Sequence, residues 1–537
     1  MTLNYKPLTF TTTLRNPERA KYFLKVIEKF EGKKLTNDLA IEIVVNCIKE
    51  KIYRPDKSYR LLPNLKTKYL SNNEISMEEA WKLKEASDQD HIERGFDHGW
   101  SSRFYTIFAM LRKLGFIYFS PPNISEDDIK ISELGKLLIK CAKLDNIAAP
   151  WQEDIGISDL EKSVFANSLA KYQRKNPFTA ELNHNYPLSL LIRTINLLNE
   201  DRKKHNLDPV GISRKEIPII SVWKNNDEVE LFNTIQEIRS KYGSNPSDET
   251  ILEKCDEISE GRYNSWQNNS LMKEIPDEFI RKMKITGLFT TRGLGRYLDL
   301  NQNRVDICQY VVDKFSKTGN YEYQNPKSEK EYYTYASKID EKIINYKVKP
   351  IERASSSQLE NWISVYSWEQ IKKELNVLKI RNGRSEDPLL KTIDRPERLE
   401  FLSALAVKYK CPKYKILPNY VADDQGLPNS TAAGGKADIE CDIDNNNKVL
   451  LEVTLKTDAT GQIEGELVKI KDHINQKKSS NPELNVSSYF VAPTIHERTN
   501  HVAHELYRSE VYNLLIEASS IDNFIQKLER ENNLICR

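Results

Sequence analysis

The stretch GGKADIECDIDNNNKVLLEVTLK, residues 434–456, constrains the fold more tightly than any other part of the chain. Apolar and acidic residues alternate on the N-terminal side of Asn445, Asn446 and Asn447, and a β-branched, leucine-rich run follows them. That period belongs to an extended strand. Turn-forming asparagines between two such runs predict a β-hairpin. If the three asparagines form the turn, opposed residues number to a constant sum of 892, as Asp444 and Lys448 do. One face then holds Ile439, Cys441, Ile443, Val449, Leu451 and Val453, and the other holds Asp438, Glu440, Asp442, Glu452 and Thr454. A slip of one residue would mix the two sets, so the apolar pattern also places the acids. In this register Glu452 faces Glu440, with Asp438 on the diagonal.

Carboxylates crowded across a sheet repel one another unless a cation binds between them. Mg2+ suits such a place: it takes oxygen from one or two carboxylates, keeps several waters and accepts substrate phosphate. It can then polarise a phosphoryl oxygen and generate hydroxide, the chemistry that phosphodiester cleavage needs. A solvated acidic face on an edge hairpin fits the same pattern. The next segment, TGQIEGELVKIKDHINQ, bears on the choice. Gln462, Glu466, Lys469 and His473 fall at i, i+4, i+7 and i+11, a single helical stripe, with Glu464 nearly opposite. Asp438 to Glu452 and Glu452 to Glu466 are both 14 residues, so the three acids converge if this helix packs on the acidic face. A lone histidine on such a stripe is more often a surface or structural residue than a catalyst.

At 537 residues the chain exceeds one hydrophobic core and calls for two to four domains. Hydrophobic residues at 39% and charged residues at 29% describe a globular protein and exclude a disordered one. The N-terminus has no apolar leader and no run of about 18 apolar residues follows, so a cytoplasmic protein without membrane spans is expected. The seven cysteines include no C-x-x-C pair, which argues for buried, reduced thiols. Net charge is only +2, but residues 1–60 hold 13 Lys or Arg against 7 Asp or Glu, as a phosphate-facing segment or a solvated helix face would.

Residues 18–53 read as two helices with Gly32 between them. Residues 101–143 run helix, Gly115, short strand, Pro122-Asn123 turn, short strand, helix, the outline of a winged helix. Two related units follow, one with Ser213 and Glu216 in capping-box spacing and one at 275–300 with Gly287 after its helix. Residues 306–385 are polar and tyrosine-rich and read as a helical linker, closed by a helix with a Ser367/Gln370 capping box. Beyond it lie an amphipathic helix at RPERLEFLSALAVKY, strands near 415–421, 437–443 and 448–455, a helix near 462–477 and a strand at VSSYFVAP. That mixed order predicts an α/β module.

Several of these segments resemble one known family, the AlwI-type type IIS restriction endonucleases with their related nicking enzymes. FTTTLRNPERAKYFL and FEGKKLTNDL are similar to its N-terminal signature, and FDHGWSSRFYT and LRKLGFIYF to its recognition region. RPERLEFLSALA, LPNYVADDQGLPNSTAAGGKADIECD, LLEVTLK and GQIEGELVKIKDHI follow in the family's order. The resemblance implies a multidomain protein: a mainly α DNA-recognition region of winged-helix-like units at 1–305, a helical linker at 306–385, and a C-terminal α/β nuclease of the PD-(D/E)XK class at 386–537. It implies a Mg2+-dependent enzyme that binds an asymmetric double-stranded DNA site and cuts a short distance away. A transient homodimer on DNA or a second nuclease subunit would provide two-strand cleavage, nicking is the other outcome, and a cognate methyltransferase is expected alongside.

By that resemblance Asp438 is the first acid, although Ala437 replaces the proline before it, and Glu452 is the second. Thr454 stands where the wider class has lysine. Glu466 is the third acid, with Glu464 as the alternative. Asp438, Glu452 and the Val453 carbonyl would hold the metal, and Glu466 with Gln462 would bind a second water-bearing site or orient the nucleophile. Lys456 is the nearest source of the missing positive charge, His473 lies on the same stripe, and Glu400 is an accessory acid or an exposed helix residue. Arg15, Arg19, Arg103, Arg214 and Arg292 are candidates to contact DNA. The competing reading is a sequence-specific DNA-binding regulator with an inactive nuclease-like domain.

Overall fold

The computed structural model describes residues 4–10, 14, 16–70, 73–142, 158–179, 181–243, 245–261, 268–315, 328–346, 354, 356–380, 383–432, 435–509 and 513–536. The chain forms two compact units: Met1–Trp151 with Asp159–Lys347, and Gln152–Ser158 with Val348–Arg537. Among the described residues no helix is long and apolar enough to cross a membrane. All seven cysteines are free, and all but Cys141 are buried.

The first unit is mainly helical. Helix Trp100–Lys113 ends at Gly115, where φ is +78° and an added Cβ would lie 2.6 Å from the Ala336 backbone, so only glycine fits both the turn and the contact. Strands Ile117–Tyr118 and Lys130–Ile131 then pair antiparallel and helix Glu133–Lys140 follows. The 275–300 unit repeats the pattern: helix Ile275–Lys284, Gly287 at φ +71°, then strands Phe289–Arg292 and Tyr297–Leu300 in a three-stranded sheet completed by Ile212–Ser213.

The second unit is a mixed sheet between two helical layers. Its strand order is Ile516–Ser520, Asn485–Ala492, Asn447–Val453, Ile439–Asp442, Lys415–Pro418. The first three are parallel and the last two antiparallel to their neighbours. Ile439, Cys441, Val449, Leu451, Tyr489 and Val491 pack with helices Ser356–Val365, Trp368–Lys379, Arg395–Lys410 and Ile521–Glu531. On the opposite face Leu450, Phe490 and Ala492 pack with Leu467, Ile470, Ile474 and Ala503. Each large side chain buried in these layers contributes about 1.5–3 kcal/mol, which ties helix Val468–Ser480 to the face that carries the acids.

Three expectations need correction. The described residues of 306–385 do not form a separate linker. Helices Val305–Phe315 and Glu329–Ala336 belong to the first unit, where Tyr332 Oη accepts from the Gln173 N–H at 3.2 Å; helices Ser356–Val365 and Trp368–Lys379 supply core to the second. Their polar, tyrosine-rich surface hides a few deeply buried anchors. The hairpin register is also two residues from the expected one: Lys448 pairs with Asp442 and Leu451 with Ile439, a sum of 890. The turn is fixed by Asp444, whose carboxylate accepts from the N–H groups of Asn446 and Asn447. Lastly, the helix after the hairpin is interrupted. Ala459–Gln462 is α, Ile463–Leu467 is a π turn, and Val468–Ser480 is α again.

Candidate active site

A two-residue slip leaves the hairpin faces intact but changes the opposed pairs. Glu440 now faces Leu450, and the same register continued by one pair sets Glu452 against Asp438. The two acids clasp each other's backbone: the Val453 N–H donates to Asp438 Oδ2 at 2.7 Å, and the Asp438 N–H lies 3.4 Å from Glu452 Oε2. Glu452 is 6% exposed and Asp438 is half-buried. Glu452 Oε1 meets His473 Nδ1 at 2.8 Å, so the helix does bring its stripe onto the acidic face.

The acids on this face divide by their counter-charges. Glu440 is met by Lys448 and Lys477, each at 2.8 Å, and Lys448 also reaches Asp442 at 2.9 Å. Burial alone would raise the Glu440 carboxyl, but the two lysines hold it down at about 2. Among the described residues Asp438 has no lysine in ion-pair contact, and Lys469 offsets its shift only at a distance. Burial first, then the charge of Glu452, pushes its carboxyl well above the carboxylate range, against the pull of the Val453 N–H. Burial also raises Glu452, opposed by its hydrogen bond to His473. Glu400 is buried at 4% exposure, not exposed on its helix; it accepts from the Ala432 N–H at 3.2 Å, and burial and then Asp438 raise its carboxyl strongly. Among the described residues Asp438 has no ion pair and Glu452 has only His473, so a third acid beside them leaves the group short of positive charge.

Glu466 sits partly buried at the rim, 2.7 Å from Lys456 Nζ, 3.5 Å from Lys469 Nζ and 3.4 Å from Thr454 Oγ1, while Glu464 is exposed. Its charge is felt by both Asp438 and Glu452. Thr454 is buried on the same face, its N–H given to the Val491 carbonyl at 2.9 Å. Gln462 is fully buried and its amide is spent: Nε2 donates to the carbonyls of Lys456 and Thr494, and Oε1 accepts from the His496 N–H and Thr499 Oγ1. The expectation that Gln462 handles a water or nucleophile is therefore corrected; its hydrogen-bonding capacity is used up within the protein.

The DNA-contact candidates are scattered. Arg15 lies outside the described residues. Arg19 donates to the Ile52 carbonyl, Arg214 pairs with Asp277, and Arg292 pairs with Asp299 and reaches the Leu300 carbonyl at 3.3 Å. Arg103 lies 2.9 Å from Tyr53 Oη and 2.6 Å from His91 Nε2. All four guanidiniums are engaged by groups of the protein itself rather than held as the open fork that reads guanine. Sequence reasoning missed Lys448, Lys477 and Asn419, whose Nδ2 donates to the Ala437 carbonyl at 2.7 Å and lies 3.3 Å from Glu440 Oε1. Lys477 continues the helical stripe four residues past His473 and could have been found there.

Among the described residues no three His, Cys, Asp or Glu side chains sit close enough together to hold a metal ion. A pair of hard carboxylate oxygens is nonetheless the usual protein share of a Mg2+ shell, and Asp438 with Glu452 fits that donor set.

The pattern of the AlwI restriction endonuclease family matches residues 112–367 and 352–513, well over half of the chain. The chain belongs to the AlwI restriction endonuclease family. Restriction endonucleases hydrolyse DNA, and both matched segments of this AlwI-family chain carry residues described above. The small subunit of the heterodimeric restriction endonuclease R.BspD6I is similar over 30% of this chain and 77% of that chain, at 20% identity and a TM-score of 0.25. Restriction endonuclease FokI is similar over 99% and 97%, at 11% identity and 0.24, and FokI bound to DNA over 84% and 83%, at 12% and 0.23. A secreted RxLR effector protein of Phytophthora infestans (strain T30-4) is 25% identical over 173 residues, 31% of this chain and 72% of that protein.

Proposed function

We propose that this AlwI-family protein is a type IIS endonuclease that hydrolyses phosphodiester bonds with Mg2+ held by Asp438 and Glu452. The observation that carries the reading is the contrast along one hairpin face: among the described residues Glu440 and Asp442 have lysine partners, while Asp438 and Glu452 oppose each other without one. Asp438, Glu452 and the Val453 carbonyl would hold the ion, and its chemistry there would be to activate water and offset charge on the phosphate. The residues do the rest. His473 orients the Glu452 carboxylate through a 2.8 Å contact. Glu466 reaches the rim from the next helix as the third acid, in preference to exposed Glu464. Glu400 adds negative potential behind Asp438. The fold of this unit accords with a PD-(D/E)XK nuclease, and the helix-and-hairpin units of the first with winged-helix-like DNA recognition. There Arg103, whose partners are both neutral, is the arginine most easily released to a phosphate. One such active site per chain cuts one strand, so two-strand cleavage would need a second copy or subunit.

The test is plasmid cleavage with Mg2+ and with EDTA, followed by run-off sequencing. Discrete cutting or nicking lost on chelation supports the proposal. A gel shift without cutting in any divalent cation would favour the DNA-binding regulator instead.

A further inference from the structure

Lys456 is held in place more thoroughly than an exposed-loop lysine has reason to be. Its N–H lies 3.3 Å from Thr454 Oγ1, and its carbonyl accepts from Gln462 Nε2 at 2.9 Å. Its side chain runs back along the helix that follows, and the residues beneath it are glycines. A Cβ at Gly461 would meet Asp458 Oδ2 at 2.8 Å and Lys456 Cδ at 3.1 Å, and one at Gly465 would meet Lys456 Nζ at 2.7 Å. Neither glycine has a positive φ, so backbone conformation does not demand them. Within a helical segment glycine is the poorest residue short of proline, and two of them four residues apart leave a slot along one face. The lysine fills the slot, and its ammonium reaches Glu466 Oε1 at 2.7 Å. The π turn Ile463–Leu467, which contains Gly465 and Glu466, lies where this contact is made, as π turns at functional sites often do.

We infer that Gly461 and Gly465 form a seat for Lys456, and that Lys456 so seated is a positioning residue that aims Glu466 at the Asp438–Glu452 pair. The inference rests on the proposed nuclease reading, in which Glu466 is the third acid. It also gives Gln462 a role: three of its four hydrogen bonds fix the main chain at Lys456, Thr494 and His496, so it anchors the lysine's backbone from beneath the site. Three acids on one rim repel each other, and Lys456 offsets the outermost of them without approaching the pair that must stay open to the cation.

The test is single-turnover cleavage of plasmid with Mg2+ by the full chain carrying Lys456→Met, Gly465→Leu, or both, beside Asp438→Ala. Lys456→Met is expected to lower kcat by about 10–100-fold, as loss of a supporting partner does, with DNA affinity unchanged. Gly465→Leu is expected to lower kcat similarly while its Tm is equal to or above that of wild type, because leucine favours the helix. The double variant should be no slower than either single one, since both remove the same seated charge. Lys456→Arg should recover part of the rate. Wild-type cleavage by Lys456→Met and Gly465→Leu, with Asp438→Ala inactive, would overturn the seat and leave the nuclease reading standing. Additive losses in the double variant, or a lowered Tm in Gly465→Leu, would overturn it as well. Cleavage by Asp438→Ala would overturn both.

Discussion

Among the described residues the Asp438 carboxyl has no lysine in ion-pair contact, Lys469 acting on it only at a distance, and its titration follows from that. Burial and Glu452 raise its pKa in the folded protein above the ordinary 3.8. A group that binds its proton more tightly when folded contributes stability that is complete below 3.8 and is lost as pH rises through the folded value. The Tm of wild type minus that of Asp438→Asn, measured in EDTA, is therefore expected to fall as pH is raised from about 4 to about 8. A flat or rising difference would contradict the assignment. Glu440 titrates in the opposite sense: held at about 2 by Lys448 and Lys477, it contributes stability above the ordinary 4.5 that is lost as pH drops towards 2. Glu440→Gln should cost about 1–3 kcal/mol at pH 7, and urea melts below pH 4 should find the cost reduced. Cleavage is a separate readout: Asp438→Ala should still shift DNA in a gel but give no product, whereas Glu440→Gln should cut.

At the scale of elements, the helix Val468–Ser480 delivers His473 and Lys477 because Ile470 and Ile474 fasten it to Leu450 of the central strand. Ile474→Ala, at a fully buried position, should cost about 2–5 kcal/mol in a urea melt; a cost below about 0.5 kcal/mol would mean the helix is held by something else. The faces of the hairpin were legible in the sequence because strand alternation has a period of two. Its register was not, because a slip of two residues preserves both faces, and only the Asp444 side chain's grip on Asn446 and Asn447 decides between them. Convergence of the helix on the acids was likewise readable from the stripe. The π turn at Ile463–Leu467 was not, since residue spacing does not reveal a change in backbone hydrogen-bond phase. Strand Ile516–Ser520, IEASS, went unread because it lacks an apolar alternation. Gln462 looked catalytic for its place on the stripe, but four internal partners make it structural, which a sequence cannot display. Glu400 reads equally as an accessory acid or an exposed residue of an amphipathic helix, and its burial follows from a helix buried along most of its length.

For the molecule as a whole, the division into a mainly helical unit and an α/β unit matches the separation of recognition from cutting that the proposed function requires. The expected linker dissolved into both units because its buried tyrosines and tryptophans, Tyr332, Trp362 and Trp368 among them, anchor each half locally. The central claim is that the acids without a lysine in contact among the described residues are the ones that take the cation. Because a ligand that binds only the folded state stabilises it by mass action, and because carboxylates must be deprotonated to bind, the decisive measurement is the Tm of the full chain titrated with Mg2+ at pH 8. The account predicts that wild type and Glu440→Gln both rise with Mg2+ and that Asp438→Asn and Glu452→Gln do not. A rise in Asp438→Asn equal to that of wild type, or its loss in Glu440→Gln, would contradict it.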